Sequence, residues 1–376
     1  MKTVRWAVGG AALVLAFGMA ACGSAKEAGG GGTMTPAGTS PGATGGTGAS
    51  SFKIGLLLPE SKTARYEKFD RPYITQGVAT LCPACEVVYA NANQDPNQQQ
   101  QQVDSMLTNN VKVLILDAVD AKAIASSVAK AKQQGVKVVA YDRLAGGPVD
   151  AYTSFDNVQV GKMQGEALLN ALKEGGDPKR GPIVMVNGSP TDPNAADFKK
   201  GAHSVLDGQV TIGKEYDTPD WSPDQANTQA AGAFTALGAD KVIGIYSAND
   251  GMAGGIARAM QNAGVPKGTP LTGQDAELAG IQRILLGTQT MTIYKPIKPE
   301  AENAARLAYD LGSGKAVQGT TTVDNGSGSP IPALIIQPIV VTRDNIKDTV
   351  VKDGFWTVEE ICTADVQAAC KAAGLS

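Results

Sequence analysis

From residue 51 onward, short unbroken apolar runs alternate with longer stretches whose apolar residues recur every three or four positions. The runs include "FKIGLLL", "CEVVYAN", "VKVLILDA", "VKVVAYD", "GPIVMVNG", "VTIGKEY", "DKVIGIYS", "TPLTGQD", "TMTIYKP" and "ALIIQPIVV". They are rich in Val and Ile and nearly continuous in apolar character, as strands covered on both faces are. Between them, Ile124, Val128 and Ala131 keep helical spacing up to Gly135, and Val160, Met163, Ala167 and Leu168 do the same. The glutamine run in "NQDPNQQQQQVDSML" carries Val103, Met106 and Leu107 on one stripe, so it reads as the exposed start of a helix. Alternating strand and helix predicts parallel sheets with helices on both faces. Right-handed crossovers then restrict the fold class to α/β with doubly wound sheets.

A chain of 376 residues exceeds what one hydrophobic core serves and suits two domains. The expected division gives one lobe residues 51–155 with 277–325, and a second lobe 156–276 with 326–361. A C-terminal extension follows at 362–376. The candidate crossing points are "TSFDN", "GQDAE" and the Gly-rich "TTVDNGSGSPIP".

Residues 1–22 break this pattern. Lys2 and Arg5 precede the apolar run "WAVGGAALVLAFGMAA", which is short for a membrane span and ends in small residues before Cys22. It reads as a targeting segment whose "GMAAC" end resembles the lipobox of bacterial lipoproteins, with Cys22 the acylated residue. Residues 23–50 are almost wholly Gly, Ser, Thr, Ala and Pro, and cannot bury enough surface to offset ordering entropy. They read as a flexible linker, which together with a lipidated Cys22 would hold the folded part at the outer face of a membrane.

Export makes disulfides the expected state of Cys82, Cys85, Cys362 and Cys370, with local pairings Cys82–Cys85 and Cys362–Cys370. "LCPAC" follows a helical pattern and precedes a strand, the reverse of a thioredoxin-like centre. The second cysteine pair is spaced too widely for the usual zinc pattern. The formal net charge of -3, with both signs interspersed, argues against nucleic acid as a partner. The single histidine, His203, excludes a multi-histidine metal site and sits at helical spacing from Phe198 and Val205.

Ligands of open parallel sheets bind beyond the carboxyl ends of the strands. There the chain places Asp142 with Arg143, then Asn194, Trp221, Asn249 with Asp250, Asp275 and Lys295. Carboxylates and amide oxygens accept from sugar hydroxyls, Arg, Lys and amide NH2 groups donate, and flat rings cover apolar sugar faces. No G-x-G-x-x-G, P-loop or G-x-S-x-G pattern occurs, and "NANQDPNQ" lacks the glycine and distal glutamate of a calcium loop. No nucleophile has an adjacent base, so a non-enzyme without cofactor or metal is expected.

The phrases "KIGLLLPE", "VVAYDRL", "TSFDNVQVGKMQ", "GQDAELAGIQRILLGTQTMTIYKPI" and "NIKDTVVKDGF" resemble, in order, those of periplasmic sugar-binding proteins of the ribose and xylose type, the type I binding proteins. The resemblance spans residues 52 to about 356 and is strongest to the xylose type. It implies two doubly wound domains joined by a three-strand hinge, closing over one monosaccharide such as D-xylose, in a monomer that serves the permease of an ABC importer. Presentation of the sugar to a chemoreceptor or histidine kinase is equally compatible with the sequence, as are ribose or glucose as ligand. The family's binding residues carry over to Arg65, Tyr66, Asp142, Arg143, Asn157, Asn194, Trp221, Asn249, Asp275 and Lys295. Tyr66 stands where the xylose type has tryptophan, and Pro193 where it has asparagine.

Overall fold

Residues 51–375 are described by a computed structural model. The strands in chain order are β1 (Lys53–Leu58), β2 (Glu86–Asn91), β3 (Val111–Leu116), β4 (Lys137–Tyr141), β5 (Ala151–Phe155) and β6 (Pro182–Asn187). They continue with β7 (Thr211–Asp217), β8 (Gly244–Ser247), β9 (Thr292–Tyr294), β10 (Thr321–Val323), β11 (Ile331–Ile336) and β12 (Ile339–Val341). The first sheet runs β10-β11-β5-β4-β3-β1-β2, parallel except at the β10–β11 edge.

Its unbroken apolar strands follow from burial on both faces. Side chains alternate across a strand, so Leu114 and Leu116 of β3 join one core while Val113 and Ile115 join the core behind it. β4 divides the same way between Val138 and Val139. The glutamine-rich stretch forms the helix Pro96–Thr108, N-capped by Asp95 and burying Val103, Met106 and Leu107. Buried Gln99 bonds the Asp117 carbonyl at 2.7 Å and the Val119 amide at 2.9 Å, tying that helix to the end of β3.

The second lobe centres on β6, paired parallel with β7 and β8. "TPLTGQD", expected as a strand, reduces to one parallel bridge from Leu271 to Ile245. The Asp275 amide bonds the Ile293 carbonyl at 2.8 Å, and β9 pairs antiparallel with β12. Helices Asn157–Glu174 and Pro193–Leu206 pack closely in this lobe, because a Cβ on Gly161 would lie 1.9 Å from the Phe198 carbonyl oxygen.

The chain crosses between lobes after β5, after β9 and after β11. The first crossing lies at "TSFDN"; the other two differ from the boundaries 277 and 325. Helix Leu278–Leu285 buries Ile281, Ile284 and Leu285 with Ala276 and Tyr294, and so stays with β9. The Gly-rich stretch after residue 323 turns a hairpin, and β11 pairs parallel with β5 in the first sheet. Its Gly and Ser content marks a turn, not a hinge.

The segment after β12 packs Phe355, Trp356, Ile361 and Cys370 against Phe69, Ala276 and Tyr294. Cys82–Cys85 and Cys362–Cys370 are bonded, with Cα separations of 5.3 and 5.9 Å. Cys22, the targeting segment and the linker lie outside the described residues. No helix among those described is long and apolar enough to cross a membrane.

Candidate functional site

The carboxyl ends of both sheets face each other across one narrow cavity. Nine of the ten residues expected to bind ligand line it: Arg65, Tyr66, Asp142, Arg143, Asn194, Trp221, Asn249, Asp275 and Lys295. Thr63, Asp192, Phe198 and Gln274 complete the wall.

Asp142 and Arg143 leave β4 in a tight reversal, with Asp142 at φ 53°. The Asp142 carbonyl accepts from Tyr152 Oη at 2.9 Å, Ser154 Oγ at 2.6 Å and, from the other lobe, Asn194 Nδ2 at 3.1 Å. Its carboxylate accepts from Arg65 Nη1 at 3.0 Å. Arg65 spends further donors on Asp70 (Nε at 3.1 Å, Nη2 at 2.7 Å) and on Glu300 (Nη2 at 2.8 Å). A guanidinium has five N–H groups, so little of Arg65 remains for a ligand. Its place is as the cation that lets Asp142 stay charged where water is excluded. Burial opposes that charge, yet Arg65, Lys295 and Arg143 together hold the Asp142 carboxyl below its ordinary range.

Arg143 spans the cleft. Its Nε lies 2.9 Å from Asp192 Oδ2 of the second lobe and 3.6 Å from Asp117 Oδ1 of the first. Its Nη2 donates to Tyr66 Oη at 3.1 Å and its Nη1 to the Ala118 carbonyl at 3.1 Å. Asp192 also accepts from Trp221 Nε1 at 3.1 Å. Trp221 meets Phe198 edge-on, with centroids 6.2 Å apart. The apolar wall thus comprises Tyr66 on one side and the Trp221–Phe198 pair on the other.

In the second lobe, Asn249 uses Oδ1 to cap helix Asp250–Ala263, accepting from the Met252 amide at 2.9 Å. Asp275, at φ 87°, stands 2.8 Å from Lys295 Nζ. That contact lacks hydrogen-bond geometry, and neither Asp275 Oδ1 nor Gln274 Oε1 accepts a hydrogen bond from the described residues. Both acceptors are buried in the cavity wall and are available to ligand hydroxyls.

Three cations (Arg65, Arg143 and Lys295) therefore face six buried carboxylates: Asp142, Asp192 and Asp275 in the wall, and Asp70, Asp117 and Glu300 behind it. Burial pushes Asp117, Asp192 and Glu300 above the ordinary carboxylate range. Every wall cation already has a carboxylate partner, so the site suits an uncharged, hydroxyl-rich ligand better than an anion.

Asn157 is the exception. It does not line the cavity; it starts helix Asn157–Glu174, buried, with Nδ2 3.5 Å from Ser154 Oγ. It supports the Asp142 turn only through Ser154. The residues that sequence reading missed carry weaker signals. Phe198 lies one helical turn after Asn194, and Asp192 was legible as an N-cap before Pro193. Asp117 ends β3 as Asp142 ends β4, whereas Glu300 is brought in by helix Ile297–Gly312 with no local signature.

A profile described as periplasmic binding protein domain matches residues 54–316. The D-xylose-binding periplasmic protein of Escherichia coli is 36% identical over 319 residues, covering 83% of this chain and 93% of its own. The multiple sugar-binding periplasmic protein SbpA of Azospirillum brasilense is 34% identical, covering 81% and 89%. The crystal structure of an ABC transporter solute-binding protein from Clostridium phytofermentans with bound β-D-glucose aligns with TM-score 0.76 at 25% identity, covering 82% and 99%. The chain belongs to the periplasmic binding protein family, among its type I sugar-binding members and close to the D-xylose-binding ones.

Proposed function

We propose that this protein captures one monosaccharide, D-xylose, between its two lobes and delivers it to the permease of an ABC importer as a monomer that does no chemistry. The observation that carries this reading is the cavity wall itself. Paired carboxylates and cations from two lobes, two acceptors without a hydrogen bond and three aromatic rings surround one narrow polar cavity. Hydroxyls are both donors and acceptors, so a pyranose can satisfy Asp275 and Gln274 while accepting from Asn249 and Lys295. Tyr66 and Trp221 would cover its two apolar faces. Affinity then rests on hydrogen bonds to charged groups in a dry site. The sequence "GMAAC" and the linker after it support anchorage at the outer face of the membrane through a lipidated Cys22.

A thermal-shift screen of the purified chain against D-xylose, D-ribose, D-glucose, D-galactose and D-glucuronate tests the ligand. At 100-fold over its dissociation constant a ligand adds about 2.7 kcal/mol, so D-xylose is expected to raise Tm by several degrees and D-glucuronate not at all. A larger shift with glucose than with xylose reassigns the sugar, and no shift with any of them overturns the proposal. Proteoliposomes holding the neighbouring permease test delivery: xylose uptake is expected only with the binding protein present.

A further inference from the structure

We infer that Asp250, which does not itself line the cavity, is the positioning residue that sets the second-lobe half of the site. The inference rests on the sugar-binding reading above. Asp250 follows Asn249 at the start of helix Asp250–Ala263 and is fully buried. Its carboxylate points away from the cavity, into the loop that carries Asp275. Oδ2 accepts from the Glu277 amide at 2.9 Å and from Thr292 Oγ1 at 2.8 Å, and Oδ1 accepts from Gln289 Nε2 at 2.6 Å. Thr292 Oγ1 in turn accepts from the Ala276 amide at 3.1 Å. The Asp250 amide donates to the Gln274 carbonyl at 2.9 Å. One residue thus ties together the end of β8, the loop 273–277 and the strand β9 that leads to Lys295.

The loop is shaped around that carboxylate. A Cβ on Gly273 would lie 1.9 Å from Asp250 Oδ1, and one on Gly280 would lie 2.4 Å from Oδ2, so only glycine lets the backbone approach so closely. Between these glycines Asp275 and Ala276 hold φ 87° and 48°, consecutive left-handed conformations that L-residues adopt only when their surroundings force them. The bonds from Asp250, directly to Glu277 and through Thr292 to Ala276, are the restraint that does so. Arg283 backs the arrangement, donating from Nη2 to the Asp250 carbonyl at 2.7 Å and from Nε to Gln289 Oε1 at 2.9 Å. Without the carboxylate, the two residues relax and Asp275 loses its station beside Lys295.

The loop also carries its own reporter. Trp356 Nε1 donates to the Ala276 carbonyl at 2.7 Å. The full-length chain holds only Trp6, Trp221 and Trp356, so its indole N–H signals are few enough to assign by NMR. Asp250→Asn is expected to weaken D-xylose binding by about tenfold or more, as leaving buried donors without an acceptor does. It is also expected to displace the Trp356 indole signal and to leave that of Trp221 in place. Adding Gln289→Glu restores an acceptor opposite the new amide and is expected to recover most of the affinity and the Trp356 signal. Should Asp250→Asn fail to fold, Thr292→Val removes the bridging hydroxyl alone and is read the same way. Val160→Ala, a core change elsewhere in the lobe, controls for lost stability and is expected to lower Tm with binding and Trp356 unchanged. Parental affinity with an unmoved Trp356 signal in both Asp250→Asn and Thr292→Val overturns the inference, as does an affinity loss in Val160→Ala equal to that in Asp250→Asn. If the parent itself binds no monosaccharide, the functional proposal fails instead, and displacement of Trp356 still decides the role of Asp250 in shaping the loop.

Discussion

Trp221 owes its place to a residue that carries no side chain. A Cβ on Gly188 would come within 2.0 Å of Trp221 Cη2, so the indole lies flat against the β6 turn only because position 188 is glycine. Gly188→Ala is therefore expected to push the ring into the cavity. Sugar affinity should fall by about tenfold or more, the loss of an aromatic contact and its burial, with Tm changed little; calorimetry and a melting curve read the two separately. Asp250 gives a second residue-level expectation. Burial pushes its carboxyl up to about 7, against 3.8 ordinarily, and burial likewise raises Asp117, Asp192, Glu277 and Glu300. Groups whose pKa is raised on folding hold more protons in the native state, so stability falls as pH rises through that window. Tm should decline from pH 5 to pH 8, and Asp250→Asn should flatten the slope; a Tm that climbs over this range contradicts the assignment. Residues whose chemistry is declared by type and by position at a strand end, such as Asp142 and Lys295, were legible in the sequence. Glu300 was not, because only the third dimension brings helix Ile297–Gly312 to Arg65.

Strands β1, β3, β4 and β11 were readable as elements because their runs are mainly apolar and largely buried, whereas β5, which carries Thr153 and Ser154, and the exposed β10 gave no apolar run. The return crossings were not readable, since a Gly-rich stretch signals a turn equally well in a hinge and in a hairpin, and pairing of β11 with β5 is a nonlocal fact. The C-terminal segment shows what such nonlocal packing accomplishes. Phe69, four residues after Arg65, stacks on Phe355 at 4.2 Å and meets Trp356 edge-on at 5.3 Å, while Lys68 lies 3.9 Å over the Trp356 ring and 2.8 Å from Glu360. The segment thus buttresses both the Arg65–Tyr66 turn and, through Trp356, the Asp275 loop. Its last helices are held by Cys362–Cys370. Replacing both cysteines with serine is expected to cost about 2–3 kcal/mol of stability, from the loop-closure relation for so short a loop. Urea unfolding of the double variant checks this, and an unchanged midpoint refutes it.

At the scale of the molecule, the lobes touch through binding residues as well as through the Phe69 and Lys68 contacts. Arg143 pairs with Asp192, Asn194 Nδ2 reaches the Asp142 carbonyl, and Thr191 Oγ1 donates to the Val119 carbonyl at 3.3 Å. Any opening of the cleft separates these pairs, so closure and sugar binding share side chains and are energetically coupled. That coupling concentrates at Asp142: its carboxylate faces the cavity, its carbonyl receives the other lobe, and Arg65 keeps it charged. The most direct test is isothermal titration of D-xylose into the parent and Asp142→Ala. One site per chain is expected in the parent and a loss of about 2–5 kcal/mol in the variant, the range for truncating a buried charged partner, which puts binding near or below detection. Equal affinity in the two proteins would contradict it.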